Sequence, residues 1–260
     1  MHKKLEEIIA RTKEDLAHRK ARLPLEILKD SLVTDEPTRP FKEAIKHPKK
    51  GSMAVIAEVK LASPSTGPLG SSDDIPARVS AYEAGGASAL SIVTEKHFFG
   101  GDPWYLRIAK SASALPVLEK NFIVNQYQLY EARSAGADAI LLIARLLPPS
   151  ELKALVLESQ IIGLEPVVEV YDAEDLKSAR ATEADIIAVN ARNLDTFSVD
   201  VVRAAALLAS IPPSYVRIGF SGVFSPPEAK AYKDAGADAV LVGTALMQAP
   251  DIGKFLEEII

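Results

Sequence analysis

Ala135-Gly136-Ala137-Asp138-Ala139 recurs as Ala235-Gly236-Ala237-Asp238-Ala239, and Ala84-Gly85-Gly86-Ala87-Ser88-Ala89 is a looser copy. Ala-rich helical sequence precedes each copy, and a β-branched apolar run follows it. Glycine ends a helix at such a point because it takes the left-handed backbone conformation without steric cost. A strand then begins a few residues on. A helix, a glycine turn and a strand repeated along one chain point to alternating β and α units.

Working outward from the repeat, eight strand-like runs can be counted: Ala54–Lys60, Ala89–Val93, Val117–Lys120, Ala139–Ile143, Pro166–Val170, Ile186–Asn190, Val216–Phe220 and Ala239–Val242. Helical candidates lie near 73–84, 103–113, 126–135, 150–159, 173–181, 199–209, 226–235 and 250–259. Strand–helix alternation implies parallel pairing, and eight units favour a closed barrel over an open sheet. The expected fold class is therefore α/β: a single (β/α)8 TIM barrel over residues 51–260, with an N-terminal helical extension over 1–50, forming one domain. In the extension, Leu5, Ile8, Ile9 and Leu16 have helical spacing within 3–22, and a second short helix is expected at about 40–47. A lid, a plug or a dimer arm are open options for it. A helix packed on the barrel's outside is the expected arrangement. Asp138 and Asp238 are tempting catalytic candidates, but they stand at N-terminal strand ends, the stability face of a barrel, and a structural role is expected.

Bulk composition agrees with this. A chain of 260 residues, 48% hydrophobic and 25% charged, can bury one large core. A net charge of −5 without a basic stripe argues against a nucleic-acid partner. It leaves room for a local positive pocket that takes a phosphate. The absence of cysteine excludes disulfides and thiolate chemistry. His2, His18, His47 and His97 are scattered, none at metal-ligand spacing, and no metal is expected. There is no signal-peptide core and no apolar run of roughly 18 residues, so no membrane contact and a cytoplasmic location are expected.

Side chains alternate along a strand, so residues i and i+2 share a face. Ile56, Glu58 and Lys60 then share one face of the first strand, with Ala57 and Val59 on the other. The third run gives Leu118, Lys120 and Phe122, the fifth Val167 and Glu169, and the sixth Ala188, Asn190 and Arg192. In each the apolar inward residue comes first and the polar one last. One Glu–Lys pair would fit a buried ion pair that only sets packing. Charges from four strands, all at C-terminal ends, instead indicate an active site, because barrel sites lie at that face. A carboxylate among lysines can serve as general base, and a lysine as general acid. After the seventh and eighth runs come Phe220-Ser221-Gly222-Val223 and Val242-Gly243-Thr244-Ala245. Small residues at these two strand ends let backbone N–H groups approach an anion, as in the usual barrel phosphate site.

At this point the motifs resemble a known family. Ile56-Ala57-Glu58-Val59-Lys60 with Ala62-Ser63-Pro64-Ser65, and Glu95-Lys96-His97-Phe98, are similar to stretches of the indole-3-glycerol-phosphate synthases of tryptophan biosynthesis. So are Pro116–Val124 with Gln126-Tyr127-Gln128, Glu165–Val170, and Asn190-Ala191-Arg192-Asn193-Leu194. The resemblance spans the chain, extension included. It implies a carbon–carbon lyase of the carboxy-lyase class, without a cofactor. Such an enzyme closes 1-(2-carboxyphenylamino)-1-deoxyribulose 5-phosphate to indole-3-glycerol phosphate, releasing carbon dioxide and water. By the resemblance, Lys120 is the general acid, Glu169 the general base, Glu58 and Asn190 position them, and Lys60 is a second catalytic or phosphate-contacting lysine. Arg192, Ser221, Gly222, Gly243 and Thr244 match phosphate- and substrate-binding positions, with Ser63 beside them, and Phe98 and Phe122 resemble an apolar wall for the anthranilate ring. For Phe98, plain barrel packing is an equal alternative.

Three positions depart from the family pattern. Phe220 stands where a Glu usually precedes the Ser-Gly, Asn121 where an Asp usually follows the lysine, and Leu61-Ala62 where a basic residue usually follows Lys60. The alternatives to the synthase are another phosphosugar barrel, similar to phosphoribosylanthranilate isomerase, or a barrel that binds a phosphosugar without turnover. The expected partner is a phosphorylated small molecule. A monomer or weak homodimer is expected, and contacts with other tryptophan-pathway enzymes are left open.

Overall fold

The computed structural model describes residues 3–30, 32, 37–64 and 66–260. His2 and Ser65, both read in the sequence, lie outside the described residues. Eight parallel strands close into a barrel: β1 (Ala54–Val59), β2 (Ala89–Val93), β3 (Val117–Lys120), β4 (Ala139–Ile143), β5 (Glu165–Val170), β6 (Ile186–Asn190), β7 (Val216–Phe220) and β8 (Ala239–Val242). Each strand pairs with the next, and β8 returns to β1, with Ala54 opposite Ala239. The expected (β/α)8 barrel is therefore what the chain forms. Two strand ends differ by one residue: β1 stops before Lys60, and β5 begins at Glu165.

The alternation sorts the core into two layers. Ala54, Ile56, Leu118, Val167, Ala188, Ile218 and Leu241 fill the barrel interior. Val55, Ala57, Val59, Val168 and Val189 pack outward under the helices. Those helices are α4 (Ile75–Gly85), α6 (Trp104–Ala112), α7 (Gln126–Ala135), α8 (Pro149–Ile161), α9 (Ala173–Arg180), α10 (Val201–Ala209), α11 (Pro226–Asp234) and α13 (Ile252–Ile259). The extension supplies α1 (Lys3–Arg22), α2 (Leu25–Asp30) and α3 (Phe41–Lys46). Two short helices, α5 (Lys96–Phe99) and α12 (Thr244–Gln248), and a small ribbon pairing 62–63 with 67–68 decorate the strand ends.

The repeated glycine turns do what their composition implies. Gly86 and Gly136 cap α4 and α7 with φ of 104° and 99°, and Gly236 follows α11 with φ of 90°. The aspartates beyond them are structural. Asp138 is fully buried and accepts from the backbone N–H of Val117 at 2.8 Å, that of Arg39 at 2.7 Å, and Lys110 Nζ at 2.6 Å. Asp238 accepts from the N–H of Arg217 at 2.7 Å. Each one ties its own strand to the start of the strand before it.

The extension departs from the expected outside packing, and does so in two segments. A barrel of side-chain layers must be closed at its floor or expose apolar atoms. α3 closes it: Phe41 and Ile45 are fully buried within the interior cluster. The first two N–H groups of α3 have no cap from Pro40. They donate instead to the two Glu165 oxygens at 2.7 and 2.8 Å, so β5 caps the plug. α1 does lie outside for part of its length, where Leu16 packs with Leu28, Tyr127 and Tyr130 and Arg19 pairs with Glu131 at 2.7 Å. Its first turns reach the opposite end of the barrel, where Leu5 and Ile8 line the pocket at the strand C-termini. Phe41→Ala is expected to cost about 3 kcal/mol by emptying the floor, measured by urea unfolding. A cost below about 1 kcal/mol would mean that α3 is not a plug.

Candidate active site

A pocket opens at the C-terminal ends of the strands. It is lined by Glu58, Lys60, Ser63, Lys120, Phe122, Glu169, Asn190, Arg192, Ser221, Gly222, Gly243 and Thr244. Of the residues expected there, Phe98 alone does not line it, and Phe99 does. Glu95 explains the exchange. Its carboxylate caps α5, accepting from the N–H groups of His97, Phe98 and Phe99 at 3.0, 2.7 and 3.1 Å. In that turn successive side chains diverge by about 100°, and it is Phe99 whose ring faces Phe122, with centroids 6.4 Å apart and planes at 40°. The sequence carries the adjacent pair Phe98-Phe99 but not the phase of the turn. Leu5, Ile8, Leu194 and Phe197 extend the apolar wall, and sequence reading missed all four as site residues. For Leu5 and Ile8 the only signal was their helical spacing.

Glu58 is the centre of the charged cluster. Only 2% exposed, it receives Lys120 Nζ on one oxygen at 2.7 Å and Lys60 Nζ on the other at 2.9 Å. Burial pushes its carboxyl up, but the Lys120 and Lys60 ammoniums together outweigh burial and hold it at about 2. Gly243 makes room for this arrangement, since a Cβ there would overlap Glu58 Oε1 and crowd Lys60 Nζ. Lys120 also sits over the Phe220 ring, 5.1 Å from its centroid. The aromatic at the end of β7 thus offers its negative face to the ammonium, a contact of about 0.5–2 kcal/mol.

Glu169 stands at the end of β5, buried, with Asn190 Nδ2 donating to Oε1 at 2.9 Å. Asn190 Oδ1 in turn accepts from the Arg192 N–H at 2.9 Å. Burial raises the Glu169 carboxyl above the usual range, against the lowering effects of Lys120 and the Asn190 bond. Just past the end of β5, two guanidiniums lie over the Tyr171 ring, Arg203 at 3.7 Å and Arg145 at 4.6 Å from its centroid. Arg203 also donates to the Asn190 carbonyl at 2.6 Å, and Arg145 to Asp175 at 2.8 Å. The carboxylate and the amide thus sit on a braced backbone.

The β7 and β8 ends supply the small residues. Ser221 and Gly222 both have positive φ, 67° and 80°, turning the chain at the pocket's edge. The Tyr232 hydroxyl fixes that turn by donating to the Phe220 and Ser221 carbonyls at 3.1 and 3.0 Å. Arg192 reaches the Phe197 carbonyl at 3.1 Å and leaves its cationic charge on the same side of the pocket. Among the described residues, no group of three or more His, Cys, Asp or Glu side chains is placed to hold a metal ion, and no helix is long and apolar enough to cross a membrane.

The chain is 44% identical over 225 residues to indole-3-glycerol phosphate synthase 2 of Streptomyces coelicolor, covering 86% of each chain. It is 40% identical over 257 residues to the indole-3-glycerol phosphate synthase of Campylobacter curvus, covering 98% of each. Among solved structures, a 3-hexulose-6-phosphate synthase superposes with a TM-score of 0.62 at 17% identity, covering 80% of this chain and 98% of that one, a likeness of fold alone. The family model for indole-3-glycerol phosphate synthase matches residues 5–259, and the chain belongs to that family.

Proposed function

We propose that this chain closes the indole ring of 1-(2-carboxyphenylamino)-1-deoxyribulose 5-phosphate, giving indole-3-glycerol phosphate, carbon dioxide and water. The observation that carries this reading is an ammonium, Lys120, and a raised carboxyl, Glu169, lining one pocket beside an aromatic wall. Ring closure needs an acid at the ketone oxygen. Lys120 donates that proton as the ring carbon bearing the carboxylate bonds to the ketone carbon. The bond to the carboxylate then breaks and carbon dioxide leaves. The new hydroxyl then leaves as water by taking a second proton from a lysine ammonium, Lys60 or Lys120 reprotonated from solvent. Glu169, steadied by Asn190, removes the C–H proton from the carbon beside the nitrogen to form the ring double bond. Glu58 aims Lys120 and Lys60 and offsets part of their charge. Phe99 and Phe122 hold the aromatic ring against the carbonyl, which raises effective molarity. Ser221, Gly222, Gly243, Thr244, Ser63 and Arg192 bind the phosphate and hydroxyls, with Lys60 able to add charge.

In this reading the chain is a carboxy-lyase that acts as one domain, extension included, in the cytoplasm, as a monomer or weak homodimer. Its partner is the phosphorylated substrate. Carbon dioxide released from carboxyl-labelled substrate should equal the indole formed, one for one. Substrate consumed without carbon dioxide would sink the reading and favour isomerase-type chemistry. Arg192→Ala is expected to raise the Michaelis constant about tenfold or more, with turnover changed much less. An unchanged constant would remove Arg192 from substrate binding.

A further inference from the structure

Glu119 is a buried carboxylate that the proposed chemistry does not use. It lies on the outward face of β3, because Leu118 belongs to the interior and Lys120 points into the pocket. Its counterparts on other strands are apolar, among them Val55, Ile92, Ile140 and Val168. Glu119 is 4% exposed and, among the described residues, in no ion pair. Arg19 and Glu131, whose charges act on it, pair with each other. Burial pushes its carboxyl up to about 6, against the lowering effects of its Thr94 and Asn121 bonds. A carboxyl with a raised value stabilises the fold fully below its usual range and loses that contribution as pH rises through about 6. Near pH 8 it is a cost that an apolar residue would not carry, so packing does not account for it.

Its bonds suggest what does. Oε1 accepts from Thr94 Oγ1 at 2.6 Å and from Asn121 Nδ2 at 3.2 Å, while Oε2 is buried without a partner. Thr94 is the first residue past β2, and its N–H donates to the Lys120 carbonyl at 3.1 Å. The next residue is Glu95, which caps α5 and sets Phe99. The α5 loop returns onto Thr94 at Gly101, where a Cβ would overlap the Thr94 backbone. Asn121 follows Lys120, and its Oδ1 accepts from the Phe122 N–H at 2.8 Å. One oxygen therefore grips the two residues from which Lys120, Phe99 and Phe122 are hung.

We propose that Glu119 is a positioning residue: it clamps the ends of β2 and β3 so that Lys120 meets Glu58 and the Phe99–Phe122 wall keeps its spacing. This rests on the proposed roles of Lys120 and of the wall. Glu119→Leu removes the clamp and keeps apolar bulk, whereas Glu119→Gln keeps an oxygen that accepts from Thr94 and Asn121. Turnover, Michaelis constant and Tm are measured at pH 8. Glu119→Leu is expected to lower turnover about tenfold or more, with the Michaelis constant within about twofold and Tm at or above the parent's. Glu119→Gln is expected to keep turnover within about threefold. Unchanged turnover in Glu119→Leu overturns the proposal, and so does a Glu119→Gln that falls as far. If Glu119→Leu does not fold, Thr94→Val is measured by the same turnover and Michaelis-constant criteria, and its crystal structure stands in for that of the Leu variant. A parent without turnover contradicts the ring-closure reading instead. Crystal structures of the two variants then decide: Lys120 displaced from Glu58 in the Leu variant alone supports the clamp, and no displacement in either overturns it.

Discussion

Lys120→Met is expected to lower turnover by about three orders of magnitude while the barrel stays folded. Methionine has similar length and no proton to give, so the proposed mechanism loses its acid. The fold survives for reasons visible around the site. Glu58 keeps Lys60 at 2.9 Å, so its buried carboxylate is not left without a cation. The Phe220 ring that lies under the ammonium accepts a thioether equally well. Indole formation measures the rate and circular dichroism the fold. A rate near that of the parent would mean that Lys120 is not the acid.

Glu169→Gln is expected to have an effect of similar size, again about a thousandfold. The amide is isosteric, and its oxygen still accepts from Asn190, so position is kept and basicity is lost. Stability should hold or rise at neutral pH. Burial raises the Glu169 carboxyl, and its ionised form therefore costs stability as pH climbs through that raised value, a cost that the neutral amide does not bear. The same shift predicts that parent turnover rises with pH as Glu169 ionises and that this limb is lost in Glu169→Gln. A variant that keeps both rate and limb would take the base role from Glu169.

Much of this site is legible in the sequence because strand alternation is strict. Glu58, Lys120, Glu169 and Asn190 each follow an apolar inward residue by two positions, and all of them line the pocket. The glycine turns likewise announce the end of a helix and the strand that follows. What escapes the sequence depends on phase and on contacts across the chain. Phe99 rather than Phe98 faces the site because Glu95 sets the turn of α5. Nothing in the local pattern of Phe41 and Ile45 says that their helix closes the barrel floor, since the cap that seats it comes from Glu165 on β5. α1 shows helical spacing, yet only the assembled barrel shows that Leu5 and Ile8 arrive at its mouth. Phe220 is visible in the sequence at the end of β7, but only geometry reveals that its ring lies beneath the Lys120 ammonium. Glu119 sits one residue from Lys120, and its role depends on Thr94 from the neighbouring strand.

The central claim is that Lys120 and Glu169 close an indole ring in this pocket. The most direct test incubates the purified chain with 1-(2-carboxyphenylamino)-1-deoxyribulose 5-phosphate and follows indole fluorescence, with binding measured in parallel by calorimetry. The account predicts fluorescence that grows over many turnovers and saturates with substrate. Binding without any fluorescence would contradict it and leave a barrel that holds a phosphosugar without turning it over.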